Sequence, residues 1–211
     1  MHTRTYATAA AVLMLAVFSL NMSINRSIKI PDNTTSNEAH ETVNGSIKIG
    51  TNCTLSDECQ TVNGSIKVGK SSKVATLQTV NGSIKLADDV QVTGDVQTVN
   101  GSIQVQTGCA ISGDVDNVNG DIALTKAEVV QNVSTINGDI ELDGATIKGN
   151  IVIEEVSGKC NRDKALVITL KNGATVEGNI TVKHDRFPVE VHLDKDSQVK
   201  GRVENAEIKE M

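Results

Sequence analysis

The sequence predicts an all-β protein: a single-domain parallel β-solenoid with about 19 residues per coil. Three observations predict it. The phrase Thr61-Val-Asn-Gly-Ser-Ile-Lys-Val68 recurs along the chain, glycine is abundant while proline is nearly absent, and no long stretch has helical periodicity. A fixed period of this length without a helical pattern is typical of solenoids, in which each repeat forms one coil stacked on the next. The step wavers between 18 and 19 residues, which favours a right-handed β-helix.

The central glycine of the repeat marks its period. It follows an asparagine in every regular copy: Gly45, Gly64, Gly82, Gly101, Gly120 and Gly138. A degenerate first copy, Ile24–Ile30, has Arg26 in the place of this glycine. We interpret the six glycines as structural turns, required either because φ is positive there or because a side chain would clash.

The N-terminal segment 1–23 has the features of a signal peptide. Ala7–Leu20 is an uncharged apolar run of 14 residues, which suits a signal-peptide hydrophobic region and is short for a membrane span. No Ala-x-Ala pattern stands directly before Ser23, so an uncleaved N-terminal anchor is the alternative. We therefore expect export to the periplasm or cell surface of a bacterium, with membrane attachment only if the segment is retained.

The rest of the chain divides into an N-terminal cap and one solenoid. Residues 24–40 hold the worn first coil and a polar stretch, Pro31–His40, which we expect to be a loop. Residues 41–211 form the solenoid, and from about residue 143 the repeat lengthens to 29 and then 23 residues. This predicts longer C-terminal coils, with excursions at Ser157–Lys164 and Lys183–Pro188. A charged C-terminal segment, residues 203–210, is suited to cover the last coil, and two capped ends predict a monomer or small oligomer.

Alternation within each repeat predicts the inward-facing columns of the coils. An isoleucine stands two positions after each glycine, and an aliphatic residue stands four positions after it. We also place inward the residue two positions before the glycine: Val43, Val62, Val80, Val99, Val118 and Ile136. A weaker inward column follows about ten positions after the glycine: Leu55, Val74, Val92, Ile111, Val130 and Ile147.

Polar residues at the alternate positions predict ladders on the outer surface. Threonine stands three positions before most of the glycines: Thr42, Thr61, Thr79, Thr98 and Thr135. The asparagines before the glycines form a second ladder, in which stacked amides can hydrogen-bond along the rod. Lysine stands three positions after the first four repeat centres: Lys29, Lys48, Lys67 and Lys85. Aligned lysines repel one another, so this row indicates either solubility and edge protection or a site for an anionic partner such as an acidic polysaccharide.

Composition limits the classes of partner. Phe187 is the only aromatic residue after residue 23, so the solenoid lacks the rings on which sugars and single-stranded bases usually stack. The formal net charge of −6 argues against nucleic acid. The partner classes that remain are an envelope polysaccharide or another envelope protein.

Candidate catalytic, metal and redox sites are few. Cys53 and Cys59 lie six residues apart, which would allow a disulfide in an oxidising compartment; the alternative is that Cys59 is a small buried hydrophobic residue. No Cys-x₂-Cys pair occurs and the histidines are scattered, so we predict neither a metal site nor a cofactor. Asp95 and Asp114 align one coil apart, but Gly-Asp is ordinary turn chemistry. We therefore predict that the protein is not an enzyme.

The phrases Val-Asn-Gly-Ser-Ile and Val-x-Gly-Asp-Val resemble the repeats of two groups of bacterial proteins. One is the exported adhesin-type β-solenoid repeat family. The other, with weaker similarity, is the polymer-forming bactofilins, whose coils carry phrases like Thr175-Val-Glu-Gly-Asn-Ile180. The similarity covers nearly all of residues 24–205 and specifies a fold much more strongly than a function.

The resemblance implies a structural, scaffolding or adhesive role in the cell envelope. Three alternatives stay open: a carbohydrate-active β-helix enzyme, an ice-binding array on the threonine and asparagine ladders, and a bactofilin-like polymer. An enzyme would need an acid and a base clustered in the long C-terminal excursions. Ice binding would need a flat threonine face without lysines.

Overall fold

The described part of the chain is a rod of stacked coils. The computed structural model describes residues 24–155 and 164–211. They form an all-β parallel solenoid of about nine turns, with about 19 residues per coil, so the predicted fold class is confirmed. The 28 strands belong to three parallel sheets, and each regular coil contributes one strand to each sheet.

Sheet I has ten strands and contains the Ile-x-Ile part of the repeat. The first and third residues of a regular strand are buried because successive side chains alternate across the strand and the adjacent coils cover the inward ones. In spatial order its strands are β1 (Ile28–Ile30), β4 (Ile47–Ile49), β7 (Ile66–Val68), β10 (Ile84–Leu86), β13 (Ile103–Val105), β16 (Ile122–Thr125), β19 (Ile140–Asp143), β22 (Leu166–Lys171), β25 (Val189–Leu193) and β28 (Glu207–Glu210).

Sheets II and III have nine strands each. Sheet II follows sheet I in each coil, and its strands are β2 (Thr35–Ser36), β5 (Thr54–Leu55), β8 (Lys73–Val74), β11 (Gln91–Val92), β14 (Ala110–Ile111), β17 (Glu128–Val129), β20 (Thr146–Ile147), β23 (Thr175–Val176) and β26 (Gln198–Val199). Sheet III leads to the Asn-Gly corner, and its strands are β3 (His40–Thr42), β6 (Cys59–Thr61), β9 (Leu77–Asn81), β12 (Val96–Asn100), β15 (Val115–Asn119), β18 (Val133–Thr135), β21 (Ile151–Ile153), β24 (Ile180–Val182) and β27 (Val203–Glu204).

In-register pairing turns each repeat position into a column along the rod. Ile66 pairs with Ile47 on one side and Ile84 on the other, and all three are fully buried. The column that begins with Cys59 is buried as well: Cys59, Leu77, Val96, Val115 and Val133. These columns are buried between coils, so their apolar surface is removed from water. This hydrophobic effect is the main contribution that holds a solenoid together.

The predicted directions of the residues two and three positions before each glycine were wrong. The threonines lie inside the rod, whereas the row Val43, Val62, Val80, Val99, Val118 and Ile136 is only half-buried. The inward parity of the isoleucines cannot be extended back through the glycine because the chain turns there from sheet III to sheet I. The outer face of sheet III therefore carries a half-exposed aliphatic row, and the core carries a row of hydroxyls.

Four of the five buried threonines donate to the carbonyl of the corner in the preceding coil, whereas Thr135 Oγ1 has no hydrogen-bond partner among the described residues. Thr61 Oγ1 donates to Gly45 O at 2.7 Å, Thr79 Oγ1 to Gly64 O at 2.8 Å, and Thr98 Oγ1 to Gly82 O at 2.9 Å. A buried hydroxyl without such a partner would cost free energy. The repeated pairing therefore explains why the sequence keeps threonine in the core.

One residue of the weaker inward column was also misplaced. Val129 fills that place, paired with Ile111 and Ile147 and fully buried, while Val130 is 37% exposed. The coil between Gly120 and Gly138 has one residue fewer than the coil before it, so counting ten positions from the glycine arrives one residue late.

The segment Pro31–His40 completes the first coil instead of forming a loop. Thr35 and Ser36 of β2 pair in register with β5, and His40 pairs with Cys59. Asn33 repeats the left-handed turn of Asn52, with φ of 59° and 54°. The polar residues of this segment made it resemble a loop in the sequence. They are tolerated because the first coil packs against another coil on one side only.

The C-terminal coils are longer, as predicted. Ile151 pairs with Ile180, and Ile180 pairs with Val203, which gives the expected steps of 29 and 23 residues. The excursion Lys183–Pro188 lies between β24 and β25, while residues 157–163 of the other excursion lie outside the described residues. The charged C-terminal segment forms β28 at the edge of sheet I, so it extends the sheet and does not cover its end.

The predicted signal segment, residues 1–23, lies outside the described residues. A search of residues 24–155 and 164–211 finds no helix that could span a membrane.

Candidate functional site

The glycine row lies where adjacent coils approach most closely. A Cβ atom added at Gly82 would collide with the carbonyl group of Gly64, and the same holds at Gly64 against Gly45. In this row only Gly120 has a φ in the left-handed region, +128°. Of the two explanations open at the sequence level, a steric clash therefore applies along the row and positive φ applies at one position. These glycines are structural.

The asparagines before the glycines form the ladder that the repeat predicts. Each side-chain amide donates to the amide oxygen of the preceding coil, at distances between 2.6 and 3.5 Å, from Asn25 to Asn137. Because the donors and acceptors are used within the ladder, its role is to tie the coils together at the corner.

The four predicted lysines form a continuous row on the outer face of sheet I, which we name the lysine ladder. Lys29, Lys48, Lys67 and Lys85 are neighbours in β1, β4, β7 and β10, and all four are exposed. Within residues 24–155 and 164–211, none of the four forms an ion pair. At a strand spacing of about 4.8 Å, two unit charges in water repel by about 1 kcal/mol.

In the C-terminal half, by contrast, the positive charge of several lysines is neutralised by acidic side chains. Each of several lysines pairs with an acidic side chain of a neighbouring coil, with N–O distances of 2.5 to 2.9 Å: Lys148 with Glu128, Lys171 with Glu141, Lys183 with Glu154, Lys200 with Glu177, and Lys209 with Glu190. Exposed pairs of this kind contribute little stability, but they remove the repulsion between like charges. The lysine ladder lacks this compensation.

The aligned aspartates serve the backbone. Asp95 Oδ1 accepts the amide N–H of Asp114 at 2.9 Å, and Asp114 Oδ1 accepts the amide N–H of Asn132 at 2.9 Å. Asp121 accepts the amide N–H of Asp139 in the same way, at 3.1 Å. The turn explanation of these carboxylates is therefore supported by their contacts, and each is directed along the rod toward the next coil.

Asp116 is a titratable group that the sequence did not single out. It lies on the outer face of sheet III between Gln97, which donates at 3.1 Å, and Ser134, which donates at 2.5 Å. Burial raises the pKa of Asp116 to about 6, and the hydrogen bond from Ser134 partly offsets that rise. The only sequence signal was an acidic residue that follows three glutamines, Gln60, Gln78 and Gln97, in the same column.

Cys53 and Cys59 are free thiols in the structure and are not bonded to each other. Cys53 lies in the turn into sheet II, where its Sγ contacts Pro31 O at 3.1 Å, whereas Cys59 stands in the aliphatic column of sheet III. Burial raises the pKa of Cys59 to about 12, which makes the thiol unreactive. These contacts support the alternative that Cys59 is a small buried hydrophobic residue; Cys160 lies outside the described residues.

The histidines do not converge. His184 packs against Phe187 with ring centroids 4.1 Å apart, and His192 Nε2 lies 2.9 Å from Glu190 Oε2. His40 stands in the first coil, in register with Cys59, where burial lowers its pKa. In the described ranges, no three His, Cys, Asp or Glu side chains are grouped so that they could hold a metal ion.

Comparison of the chain with protein-family models, with curated proteins and with solved structures found no match.

Proposed function

We propose that this chain is an exported bacterial cell-envelope protein whose solenoid is a non-enzymatic scaffold with a structural or adhesive role. The observation that carries the proposal is the arrangement of outward polar side chains in ladders along the rod. The exposed side chains of Lys48 and Lys67, for example, are neighbours in adjacent strands of sheet I. Such a surface offers a repeated contact over many coils, which suits a filamentous or polymeric partner.

The carboxylates support a scaffold over a carbohydrate-active enzyme. An acid and a base must converge on one bond of the substrate. Asp95, Asp114 and Asp121 instead each accept an amide proton from the next coil, and so they point along the rod. Half-buried Asp116 is hydrogen-bonded to Gln97 and Ser134 within its own column.

The buried threonines weigh against an ice-binding array. Such an array needs hydroxyl groups in regular rows on the surface. The threonine row is inside the rod and donates to glycine carbonyls, as Thr61 does to Gly45. The exposed asparagine ladder spends its amide groups on itself.

The ends of the rod favour a monomer or small oligomer over a bactofilin-like polymer. If a second copy continued the register of sheet III, Glu204 of one copy would lie beside Glu41 of the next, because both stand in the same column. In sheet I the inward place beside Ile30 would be taken by Glu210. Like charges and a buried carboxylate both penalise such stacking.

Export is tested by fractionating cells of the native host that produce the full chain. We expect the protein in the envelope or periplasm. Leu13→Arg places a charge near the centre of the apolar run Ala7–Leu20, and it should shift the protein to the cytosol. Met14→Leu keeps the run apolar and serves as the matched control. A wild-type protein found only in the cytosol would overturn the proposal.

A further inference from the structure

The lysine ladder is a row of four aligned lysines that form no ion pair within the described residues. In several columns of the C-terminal half an acidic side chain one coil away neutralises a lysine, as Glu177 does for Lys200 at 2.9 Å. The same arrangement was available in the first coils, because their columns are equally in register. Here lysine follows lysine through four consecutive strands instead. An external anion that lies along the row would remove the repulsion that the chain itself does not remove.

A row of serines beside the ladder supplies further donors. Each serine stands two residues before a lysine and therefore on the same outer side of the strand. The hydroxyl oxygen of Ser27 accepts the amide N–H of Ser46 at 3.1 Å, and that of Ser46 accepts the amide N–H of Ser65 at 3.3 Å. A hydroxyl that accepts such a bond still has its own O–H to donate. Within the described residues no acceptor takes the O–H of Ser27, Ser46 or Ser65, so these protons can bind an anion.

The other flank of the ladder is open. The residues two positions after the lysines are Pro31, Gly50, Gly69 and Ala87, none of which carries a polar side chain. No acidic residue stands on the outer face of sheet I in the first four coils. The next positions include the carboxylates of Asp32, which accepts the amide N–H of Thr51 at 2.8 Å, and of Asp88, which lies 3.6 Å from Lys70 Nζ. An elongated ligand can therefore approach the ammonium groups along the face of the sheet.

Both rows become acidic toward the C-terminal end of the rod, the serine row one coil before the lysine row. The lysine row continues as Gln104, Ala123 and Glu141, and the serine row continues as Ser102 and Asp121. The cationic surface is thus confined to the N-terminal coils and bounded by acidic side chains. Three strand steps separate Lys29 from Lys85, about 14 Å at the usual strand spacing.

We propose that the lysine ladder and the serine row beside it bind a linear acidic polysaccharide, with its carboxylates on the ammonium groups and the chain lying along the rod. The choice of an envelope polymer rests on the proposed function. A polyuronate carries one carboxylate per sugar and so matches a row with one cation per strand. Nucleic acid fits less well, because its charges are more closely spaced and the face turns acidic at Asp121.

Binding of the full chain to polygalacturonate, measured by calorimetry at several salt concentrations, tests the inference. The variant Lys48→Gln/Lys67→Gln removes two charges from the centre of the ladder. The matched control Lys73→Gln/Lys195→Gln removes two exposed lysines that lie elsewhere. We expect the ladder variant to bind about tenfold more weakly, with a salt dependence reduced by about two counterions, and the control to bind within about twofold of wild type.

Three results would overturn the inference: no binding of polygalacturonate, equal losses in the two variants, or tighter binding of duplex DNA or inorganic polyphosphate than of the polyuronate. Thermal unfolding of both variants without ligand verifies that they are folded. A protein found in the envelope that fails to bind would refute this inference and leave the proposed function standing. A cytosolic protein that binds through the ladder would do the reverse.

Discussion

The glycine row provides the sharpest test of how the coils are packed. Gly82 lies at the corner between sheet III and sheet I, and a Cβ atom there would stand 2.5 Å from the carbonyl carbon of Gly64 and 3.0 Å from the amide nitrogen of Ser65. Both are backbone atoms, so no side-chain rotation can relieve the overlap. Gly82→Ala must therefore push two adjacent coils apart.

The cost follows from what the displaced coils lose. A backbone shift forced by overpacking costs about 1–3 kcal/mol. The shift also disturbs the buried hydrogen bonds that meet at this corner, from Thr79 Oγ1 to Gly64 O and from Thr98 Oγ1 to Gly82 O. Weakening one of them adds about 1–2 kcal/mol. We expect Gly82→Ala to lower the free energy of unfolding by about 2–5 kcal/mol.

Urea denaturation followed by circular dichroism measures the effect. Gly173→Ala is the matched control, because φ there is +79° while the nearest atom to an added Cβ is Asp196 O at 3.9 Å. This control carries only the cost of a left-handed residue, about 1–2 kcal/mol. A Gly82→Ala midpoint no lower than that of Gly173→Ala would refute the close approach of the coils.

Three further substitutions test the core and the outer face. Asp116→Asn removes a carboxyl whose pKa is raised to about 6 by burial; such a group stabilises the fold at acid pH and loses that contribution as pH rises from about 4 to about 6. Because Asp116 is only half-buried, we expect the variant to gain about 1–2 kcal/mol at pH 7 and nothing below pH 4 in urea titrations at both pH values; equal gains at both would contradict the assignment. Thr98→Val removes a buried donor and should cost about 1–2 kcal/mol in the same assay, whereas Val99→Thr on the half-exposed row should cost less than about 0.5 kcal/mol. A larger stability cost for Val99→Thr than for Thr98→Val would contradict the placement of the threonines inside the rod.

Much of the fold could be predicted because a solenoid is nearly one-dimensional. Once the period of about 19 residues is known, in-register stacking brings each residue beside its equivalent in the next coil. The isoleucine columns, the asparagine ladder and the alignment of the four lysines follow from this rule alone. The lengthened C-terminal coils were visible too, because their repeated phrases keep the same order.

Corners and local changes of length needed the tertiary structure. Alternation predicts side-chain direction within a strand, but it does not pass through a bend, and so Thr61 and Val62 were assigned to the wrong sides. A single missing residue moved the inward place from Val130 to Val129. Polar residues at the uncovered first coil made Thr35 and Ser36 resemble a loop, although their backbone pairs like that of any other coil.

The sequence by itself determined which residue types stack on one another, because equal spacing along a parallel solenoid becomes vertical alignment. Only the tertiary structure decided what surrounds each column. It placed the threonine hydroxyls against glycine carbonyls and left the four lysines of the ladder without an acid among the described residues. The physical reason is that contacts around a coil join residues from different columns, and those contacts depend on how the chain bends at each corner.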